Sequence, residues 1–312
     1  EVAELLVKHS FADKVFFCNS GAEANEAAIK LVRKWGKQFS PPKYKIITLE
    51  GSFHGRTIAT ITATGQQKVK YGFEPLLPGF VHVPFDNVKA IEQVIDKETV
   101  AIMVEPIQGE GGIRIPSPRY LKKIRKICDE NQILLIFDEI QTGMGRTGTL
   151  FAYEHEGVKP DILTLAKSLA NGLPIGAMLA KEQIAMAFSA GSHASTFGGN
   201  PVSCAAAKAV MKILTATEIL QYAKQIGSFL KEKLNQLKEK HQIIKEIRIC
   251  GLMVGIELDA KAQPIVEKCL QRGFLINAVQ ENVLRLLPPL IIEREAIEAF
   301  IEVLDNILRE TQ

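Results

Sequence analysis

The 312-residue sequence has few of the features that mark membrane-bound, secreted or nucleic-acid-binding proteins. One of its longest apolar runs, residues 133–137, is strand-sized, whereas a membrane-spanning helix needs roughly 18 apolar residues or more. No charged stretch followed by an apolar core opens the chain, so a signal peptide is not indicated. The 38 basic and 35 acidic side chains leave a net charge of only +3, which predicts no strong attraction to nucleic acid or to anionic lipid.

Cysteine is scarce and scattered. The chain has five cysteines and no close pair among them: Cys18, Cys128, Cys204, Cys250 and Cys269. An odd, scattered set argues against a disulfide framework and a zinc site, and favours a reducing, cytoplasmic location. The six histidines show no metal-ligand spacing either, so we predict no metal.

The length and the apolar pattern predict an α/β fold. A chain of this size buries a large core, and a guide of about 150 residues per domain suggests two domains. The predicted strands are 14–18, 45–50, 99–105, 133–138, 162–166 and 175–180, and the predicted helices between them are 21–38, 88–96 and 118–131. Because these strands are apolar on both faces, we expect a mostly parallel sheet covered by helices.

The pattern changes near residue 217. A charged helical stretch at 218–240 leads into strand-like segments at 243–250 and 252–258, then a helix, short strands and a final helix. We therefore interpret residues 1–216 as a large domain and residues 217–312 as a small α+β domain.

Three segments at the ends of predicted strands could carry chemistry. Ser20 and Glu23 form a capping box after the strand at 14–18, and free N–H groups at such a helix start attract phosphate. Asp138 ends the strand at 133–138, where ligands bind in open α/β sheets. Lys167 follows the strand at 162–166, and a lysine withdrawn from water can attack a carbonyl group. Taken singly, an ordinary turn, a capping aspartate and a surface lysine remain alternatives.

Two glycine-containing loops add further candidates. Phe53 follows the strand at 45–50 and could stack on a flat ligand, while Arg56 could clamp a carboxylate. Ser195 and Thr196 lie beside two glycines and could bind a phosphate or a polar substrate group. Core packing, a solvated charge and a plain helix N-cap explain these residues singly.

Together these residues supply what pyridoxal phosphate requires. That cofactor needs a lysine, a helix N-terminus for its phosphate, a carboxylate for its ring nitrogen and a flat group over its ring. Lys167, Gly21 and Ala22, Asp138 and Phe53 would fill those roles.

Over its whole length the sequence resembles the class III, fold-type-I pyridoxal-phosphate aminotransferases. The resemblance rests on an ordered set of motifs: Asn-Ser-Gly-Ala-Glu-Ala-Asn-Glu (19–26), Phe-His-Gly-Arg-Thr (53–57), Glu-Pro-Ile-Gln-Gly-Glu-Gly-Gly (105–112), Asp-Glu-Ile-Gln-Thr-Gly (138–143), Lys167 and Ser-Thr-Phe-Gly-Gly-Asn-Pro (195–201). It implies a seven-stranded type of sheet, a small C-terminal domain, pyridoxal phosphate, and a homodimer with cross-subunit active sites.

The resemblance also implies roles for the cofactor residues. Lys167 would hold the cofactor and shuttle a proton, and Asp138 would pair with the ring nitrogen. Gln141 would hydrogen-bond the ring hydroxyl, and Phe53 would stack on the ring. Backbone N–H groups of residues 21–22 would bind the phosphate.

Four further residues would bind substrate, and one would reach across a dimer. Arg56 and Ser195 would bind the amine substrate, and Thr196 would reach the phosphate of the neighbouring subunit. Glu110 and Arg285 would form a switch, in which Arg285 is released to grip the α-carboxylate of glutamate or 2-oxoglutarate. An unpaired arginine in the apolar run around it would be costly, which fits such a pair.

Within the family, the resemblance is strongest to members that transfer the side-chain amine of N-acetylornithine to 2-oxoglutarate, giving the semialdehyde and glutamate. Succinylornithine, ornithine, lysine and 4-aminobutyrate remain alternative amine donors. His54 favours the first, because members that act on ornithine tend to carry tryptophan there. A non-catalytic subunit would lack Lys167 or Asp138, and a nicotinamide-binding enzyme would need a G-x-G-x-x-G turn that residues 20–23 do not provide.

The first residues show apolar side chains at helical spacing from Val2 onward, so the chain begins inside an element. Family members carry a segment before this point that helps line the substrate entrance and the dimer interface. We therefore expect that segment to be missing here, which leaves a catalytically impaired chain as one more alternative.

Overall fold

The computed structural model describes residues 1–311. Within them the strands are β1 (Lys14–Cys18), β2 (Lys45–Leu49), β3 (Phe80–Val83), β4 (Thr99–Val104), β5 (Leu134–Asp138), β6 (Ile162–Leu165), β7 (Gly176–Ala180), β8 (Ile244–Cys250), β9 (Met253–Leu258), β10 (Asn277–Val279) and β11 (Val283–Leu286). The α-helices are α1 (Val2–Lys8), α2 (Gly21–Trp35), α3 (Ile58–Ala63), α4 (Val88–Val94), α5 (Tyr120–Glu130), α6 (Glu182–Ala185), α7 (Pro201–Ala216), α8 (Ile219–Lys240), α9 (Gln263–Gln271) and α10 (Arg294–Arg309).

The larger sheet has seven strands in the order β1-β7-β6-β5-β4-β2-β3. All its neighbouring pairs are parallel except those of β7, which runs antiparallel to both β1 and β6. Every residue of β4, β5, β6 and β7 is buried. The predicted mostly parallel α/β sheet is thus confirmed, and its near-continuous apolar strands are explained by cover on both faces.

Alternating side chains of the central strands enter two different cores. On one face Phe137 joins residues of α1, α5 and α7, including Leu6 and Ile124. On the other face Ile136 joins residues of α2, including Leu31. This two-sided cover leaves the strand ends as the place where polar side chains reach open space.

Several boundaries differ from the predictions for local reasons. The helix predicted at 118–131 begins at Tyr120, because Arg119 has a left-handed φ of 66°. The helix predicted at 21–38 ends at Trp35 and continues as a 3-10 turn at Gly36–Gln38. Strand β3 was not predicted, because its residues are only partly buried up to Val83 and the run is short.

Residues after α7 form a second sheet, in the order β10-β11-β9-β8, whose strands are all antiparallel. This sheet shares a separate hydrophobic core with α8, α9 and α10. Arg248 of β8 donates from Nε to the carbonyl of Gly112, at 3.0 Å, and so connects the second sheet to the loop after β4. The division into domains at residues 216 and 217 stays a prediction.

Among residues 1–311, none of the helices combines the length and the apolar character that crossing a bilayer would require.

Candidate active site

A cavity of about 400 Å³ lies at the carboxyl ends of the parallel strands. This volume falls within the roughly 300–1,000 Å³ of typical small-molecule sites. The cavity is lined by the ends of several strands and by the loop before β7, because β7 runs antiparallel and starts at this edge. Seven predicted residues line it: Gly21, Ala22, Phe53, Arg56, Asp138, Gln141 and Lys167.

Asp138 is the last residue of β5, and its side chain is only 3% exposed. Its Oδ2 accepts hydrogen bonds from Asn25 Nδ2 and from His54 Nδ1, both at 2.8 Å. Its Oδ1 accepts from the Ile140 N–H at 3.1 Å. Asn25 is itself oriented by Thr164, whose hydroxyl donates to Asn25 Oδ1 at 2.7 Å. These donors fix the position of the carboxylate.

The position of the His54 ring proton follows from its hydrogen-bond partners. The residue is 1% exposed, and its Nε2 has no hydrogen-bond partner within residues 1–311. A proton on Nε2 would therefore be buried and unsatisfied, whereas one on Nδ1 is donated to Asp138. We therefore assign a proton to Nδ1, from which His54 donates to Asp138.

Lys167 lies two residues beyond β6 and its side chain is exposed to the cavity. Burial by the surrounding protein lowers the pKa of its amine, and the carboxylates of Asp138, Glu105 and Glu110 oppose this. Its φ of 43° is left-handed, which costs a non-glycine residue about 1–2 kcal/mol. Such strain is typical of functional positions, and the lowered pKa makes the neutral, nucleophilic amine more available.

Half of the capping box predicted at α2 is present, because the Glu23 carboxylate accepts from the Asn19 N–H, at 2.5 Å, instead of from that of Ser20. Ser20 Oγ accepts from the Glu23 N–H at 3.2 Å, and the Ser20 carbonyl accepts from the Ala24 N–H at 3.1 Å. The N–H groups of Gly21 and Ala22 belong to the first turn, which has no intrahelical acceptors for them. Both residues line the cavity, so this helix end can bind an anion.

Phe53 and Arg56 lie on the loop after β2. The guanidinium carbon of Arg56 lies 5.5 Å from the centroid of the Phe53 ring, and the Arg56 side chain is exposed. The Phe53 N–H donates to Glu105 Oε2 at 3.1 Å. The loop thus presents an aromatic face and a cation to the same cavity.

Glu110, Arg285 and Gln141 form one cluster at the edge of the cavity. Arg285 Nη1 lies 2.6 Å from Glu110 Oε1 and 3.2 Å from Gln141 Oε1. Gln141 Nε2 donates to Glu110 Oε1 at 3.4 Å. Gln141 lines the cavity, whereas Glu110 and Arg285 are not among its lining residues. The structure therefore brings together the two residues that were predicted to pair.

Ser195 and Thr196 do not line this cavity. Ser195 Oγ accepts from Asn19 Nδ2 at 3.1 Å, and Asn19 is a lining residue. Thr196 is exposed, so within one chain it lies outside the site.

Sequence reasoning missed several residues of the site, notably Asn25, Glu105 and Thr164. Glu105 directly follows β4, lines the cavity and is 5% exposed. Burial raises its pKa to about 7, and His54 and the N–H groups of Phe53 and Gly109 act in the opposite direction. Its position after a buried strand matches that of Asp138, so the same signal could have identified it.

The residues present fit pyridoxal phosphate. The cavity joins an amine of lowered pKa, a buried and hydrogen-bonded carboxylate, and a helix N-terminus with free N–H groups. These groups match the aldehyde, the ring nitrogen and the phosphate of that cofactor. Residues 1–311 contain no group of three or more His, Cys, Asp or Glu side chains placed to hold a metal ion.

Comparison with known sequences supports the same chemistry. The family model "Aminotransferase class-III" matches residues 1–308. The acetylornithine aminotransferase of Caldanaerobacter subterraneus subsp. tengcongensis is 53% identical, over 99% of this chain and 79% of the relative. That of Methanocaldococcus jannaschii is 50% identical, over 99% of this chain and 78% of the relative.

Solved structures agree with the fold. The ornithine aminotransferase of Toxoplasma gondii ME49 superposes with a TM-score of 0.95 at 35% identity, covering 99% of this chain and 76% of that one. A second structure of the Toxoplasma gondii enzyme reports partial occupancy of pyridoxal phosphate at the active site. The N-acetylornithine aminotransferase of Stenotrophomonas maltophilia K279a gives a TM-score of 0.86 at 37% identity, covering 99% and 79%. The chain belongs to the class III aminotransferases, which are enzymes dependent on pyridoxal phosphate.

Proposed function

We propose that this chain transfers the side-chain amine of N-acetylornithine to 2-oxoglutarate, giving N-acetylglutamate 5-semialdehyde and glutamate. The observation that carries the proposal is the agreement among relatives named acetylornithine aminotransferase, at 46–53% identity over nearly the whole chain. The arrangement of two arginines around one cavity supports it. We further assign the reaction to arginine biosynthesis.

Pyridoxal phosphate supplies an aldehyde that takes up an amine and a ring that accepts electrons from the substrate carbon. Lys167 would hold the cofactor through Nζ. Once the substrate amine has displaced it, the freed Lys167 amine would move a proton from the substrate carbon to the C4′ carbon of the cofactor. The lowered pKa of the Lys167 amine supports this role, because a base must be neutral before it accepts a proton.

The other cofactor residues bind and orient. Asp138 keeps a negative charge beside the ring nitrogen, and its hydrogen bonds from Asn25 and His54 hold that charge in place. The N–H groups of residues 21–22 bind the phosphate. Phe53 covers the ring and Gln141 binds the ring hydroxyl.

Two arginines provide separate binding sites for substrate carboxylates. Arg56 and Ser195 bind the amine substrate, with Arg56 on its carboxylate. Arg285 is neutralised by Glu110 while that substrate is bound, and becomes available to the α-carboxylate of glutamate or 2-oxoglutarate. One site can therefore serve two substrates of different charge in turn.

We also propose a homodimer in which Thr196 binds the cofactor phosphate of the partner subunit. Thr196 is exposed and lies outside its own cavity, while the neighbouring Phe197 and Val202 are 70% and 67% exposed. Apolar side chains at this exposure are suited to cover by a second copy. The five cysteines are free, which is consistent with a cytoplasmic location.

Mixing two inactive variants tests the cross-subunit site. Lys167→Ala removes the amine, and Thr196→Val removes the hydroxyl. If Thr196 acts in the partner's site, a mixed dimer contains one site with both groups, and mixing restores activity. If mixing restores nothing, Thr196 does not act across the interface.

The central assignment is tested by reduction and by half-reactions. Borohydride reduction of the holoprotein should fix the cofactor to the peptide that contains Lys167, as read by mass spectrometry. Half-reactions with N-acetylornithine, succinylornithine, ornithine and 4-aminobutyrate, followed by the colour of the cofactor, then rank the donors. Modification of another lysine would refute the site, and a faster reaction with another donor would refute the substrate.

A further inference from the structure

We propose that Glu105 is a positioning residue that holds two loops at a fixed separation, one carrying Phe53 and the other carrying Glu110. The proposal rests on the roles proposed above for Phe53 and Glu110. In this proposal the buried Glu105 side chain sets the distance between Phe53, which covers the cofactor ring, and Glu110, which pairs with Arg285.

We call the two hydrogen bonds that the Glu105 carboxylate accepts, one from each loop, the Glu105 clamp. Glu105 Oε2 accepts from the Phe53 N–H at 3.1 Å, and Glu105 Oε1 accepts from the Gly109 N–H at 3.2 Å. Each oxygen thus holds the main chain of a different loop. Because both donors belong to the backbone, these hydrogen bonds set the position of the loops themselves.

Glu105 itself is anchored at the end of a buried strand and is shielded from water. Glu105 directly follows β4, whose six residues are all buried, and its own side chain is 5% exposed. Water therefore has little access to replace either acceptor. An N–H group that lost its oxygen here would have to move to find another acceptor.

A shift of the main chain at Gly109 would also shift the Glu110–Arg285 ion pair. A Cβ atom on Gly109 would lie only 2.3 Å from Gln141 Oε1, so the backbone passes close against Gln141. Glu110 is the next residue, and its Oε1 contacts both Gln141 and Arg285. The loop, the Gln141 side chain that lines the cavity and the Glu110–Arg285 ion pair are therefore in direct contact.

Glu105→Gln is the informative substitution because glutamine has nearly the same side-chain size and shape as glutamate. An amide has one acceptor oxygen, and its NH2 group would face one of the two backbone N–H groups. One of the two hydrogen bonds, and with it the hold on one loop, is therefore lost. Glu105→Asp is the second variant. It keeps both carboxyl oxygens, but is one methylene too short to hold both loops.

Glu139→Gln is a matched control. Glu139 is 1% exposed, and its two oxygens also accept from two backbone N–H groups, those of Ala152 at 2.6 Å and Tyr153 at 2.9 Å. The substitution makes the same chemical change at similar burial. Glu139 does not line the cavity, and its hydrogen bonds hold neither Phe53 nor Gly109.

The experiment measures the affinity of each apoprotein for pyridoxal phosphate and the induced circular dichroism of the bound cofactor. Urea unfolding of the apoproteins reports any general loss of stability. A lost charge-assisted hydrogen bond corresponds to roughly a tenfold change in affinity. We expect about tenfold weaker binding and altered dichroism for Glu105→Gln and Glu105→Asp, and wild-type values for Glu139→Gln.

Three outcomes would overturn the proposal. Wild-type affinity and dichroism in Glu105→Gln would show that the clamp is not needed. Equal weakening in Glu139→Gln would indicate a general effect of changing a buried carboxylate. Wild-type behaviour of Glu105→Asp would indicate that the length of this side chain, and so the spacing of the two loops, does not matter. If the wild-type protein itself failed to attach cofactor at Lys167, the proposed function would fail instead, which is a separate result.

Discussion

Glu110→Gln should release Arg285 and change the preference of the site between its two substrates. Arg285 Nη1 and Glu110 Oε1 are 2.6 Å apart, and their side chains are 11% and 33% exposed. At an effective dielectric constant of about 20, opposite charges at this distance attract by about 6 kcal/mol. Desolvation and the partial exposure of Glu110 offset most of this attraction, which leaves about 1–2 kcal/mol.

In the wild-type protein, a carboxylate that binds Arg285 must first displace Glu110. The neutral glutamine removes that competition, so binding of glutamate and 2-oxoglutarate should tighten by about 5- to 30-fold, the equivalent of 1–2 kcal/mol. N-acetylornithine should gain nothing, because its acetylated end offers no carboxylate to Arg285. The ratio of the two half-reactions should therefore shift toward glutamate.

Single-turnover half-reactions, followed by the cofactor colour, measure each substrate separately. Glu257→Gln is the control, because Glu257 and Arg248 are also 2.6 Å apart and their side chains are 35% and 13% exposed, away from the cavity. The control should leave both half-reactions unchanged. An equal change of the two half-reactions in Glu110→Gln would refute the switch, as would the same shift in the control.

Three further predictions concern the cavity and its support. His54→Leu removes one of the two side-chain donors to Asp138 Oδ2 and should weaken cofactor binding about tenfold in a spectral titration; unchanged binding would refute its supporting role. The rate of cofactor attachment should rise with pH as the Lys167 amine loses its proton, with a midpoint below the ordinary value of 10.5, because burial lowers the pKa; a midpoint at or above 10.5 would contradict this. Gly176→Ala would place a Cβ atom 2.2 Å from the Ser20 carbonyl oxygen and should lower the free energy of unfolding by about 1–3 kcal/mol in urea, and an unchanged midpoint would show that the backbone relaxes freely.

The residues that the sequence predicted best are those at strand ends. Parallel strands place their carboxyl ends at one edge, so a polar residue after an apolar run is directed to a shared site. Asp138 and Lys167 follow adjacent strands β5 and β6, and both line the cavity. A local pattern was sufficient here because, in a parallel sheet, the carboxyl ends of the strands lie at the same edge whatever the rest of the sequence.

The network behind Asp138 could not be predicted in the same way. Asn25 is separated from Asp138 by 113 residues and His54 by 84, and both contacts depend on how α2 and the loop after β2 pack on the sheet. Neither residue follows an apolar run directly, so nothing in its local sequence indicates a buried partner. Thr196 presents the opposite difficulty, since its proposed role requires a second chain.

Asp138 and Glu105 show where local sequence stops being informative. Each is a carboxylate that closely follows a buried strand, and each lines the same cavity. The Oδ2 of Asp138 is held by the side chains of Asn25 and His54, so the surrounding protein fixes the carboxylate as a charge beside the cavity. Glu105 accepts from main-chain N–H groups of the loops after β2 and β4, so the carboxylate fixes its surroundings instead. Asp138 also accepts from the main-chain N–H of Ile140, so what distinguishes it from Glu105 is the pair of side-chain donors on its Oδ2. Those side-chain donors therefore distinguish a group placed for chemistry from one that places others.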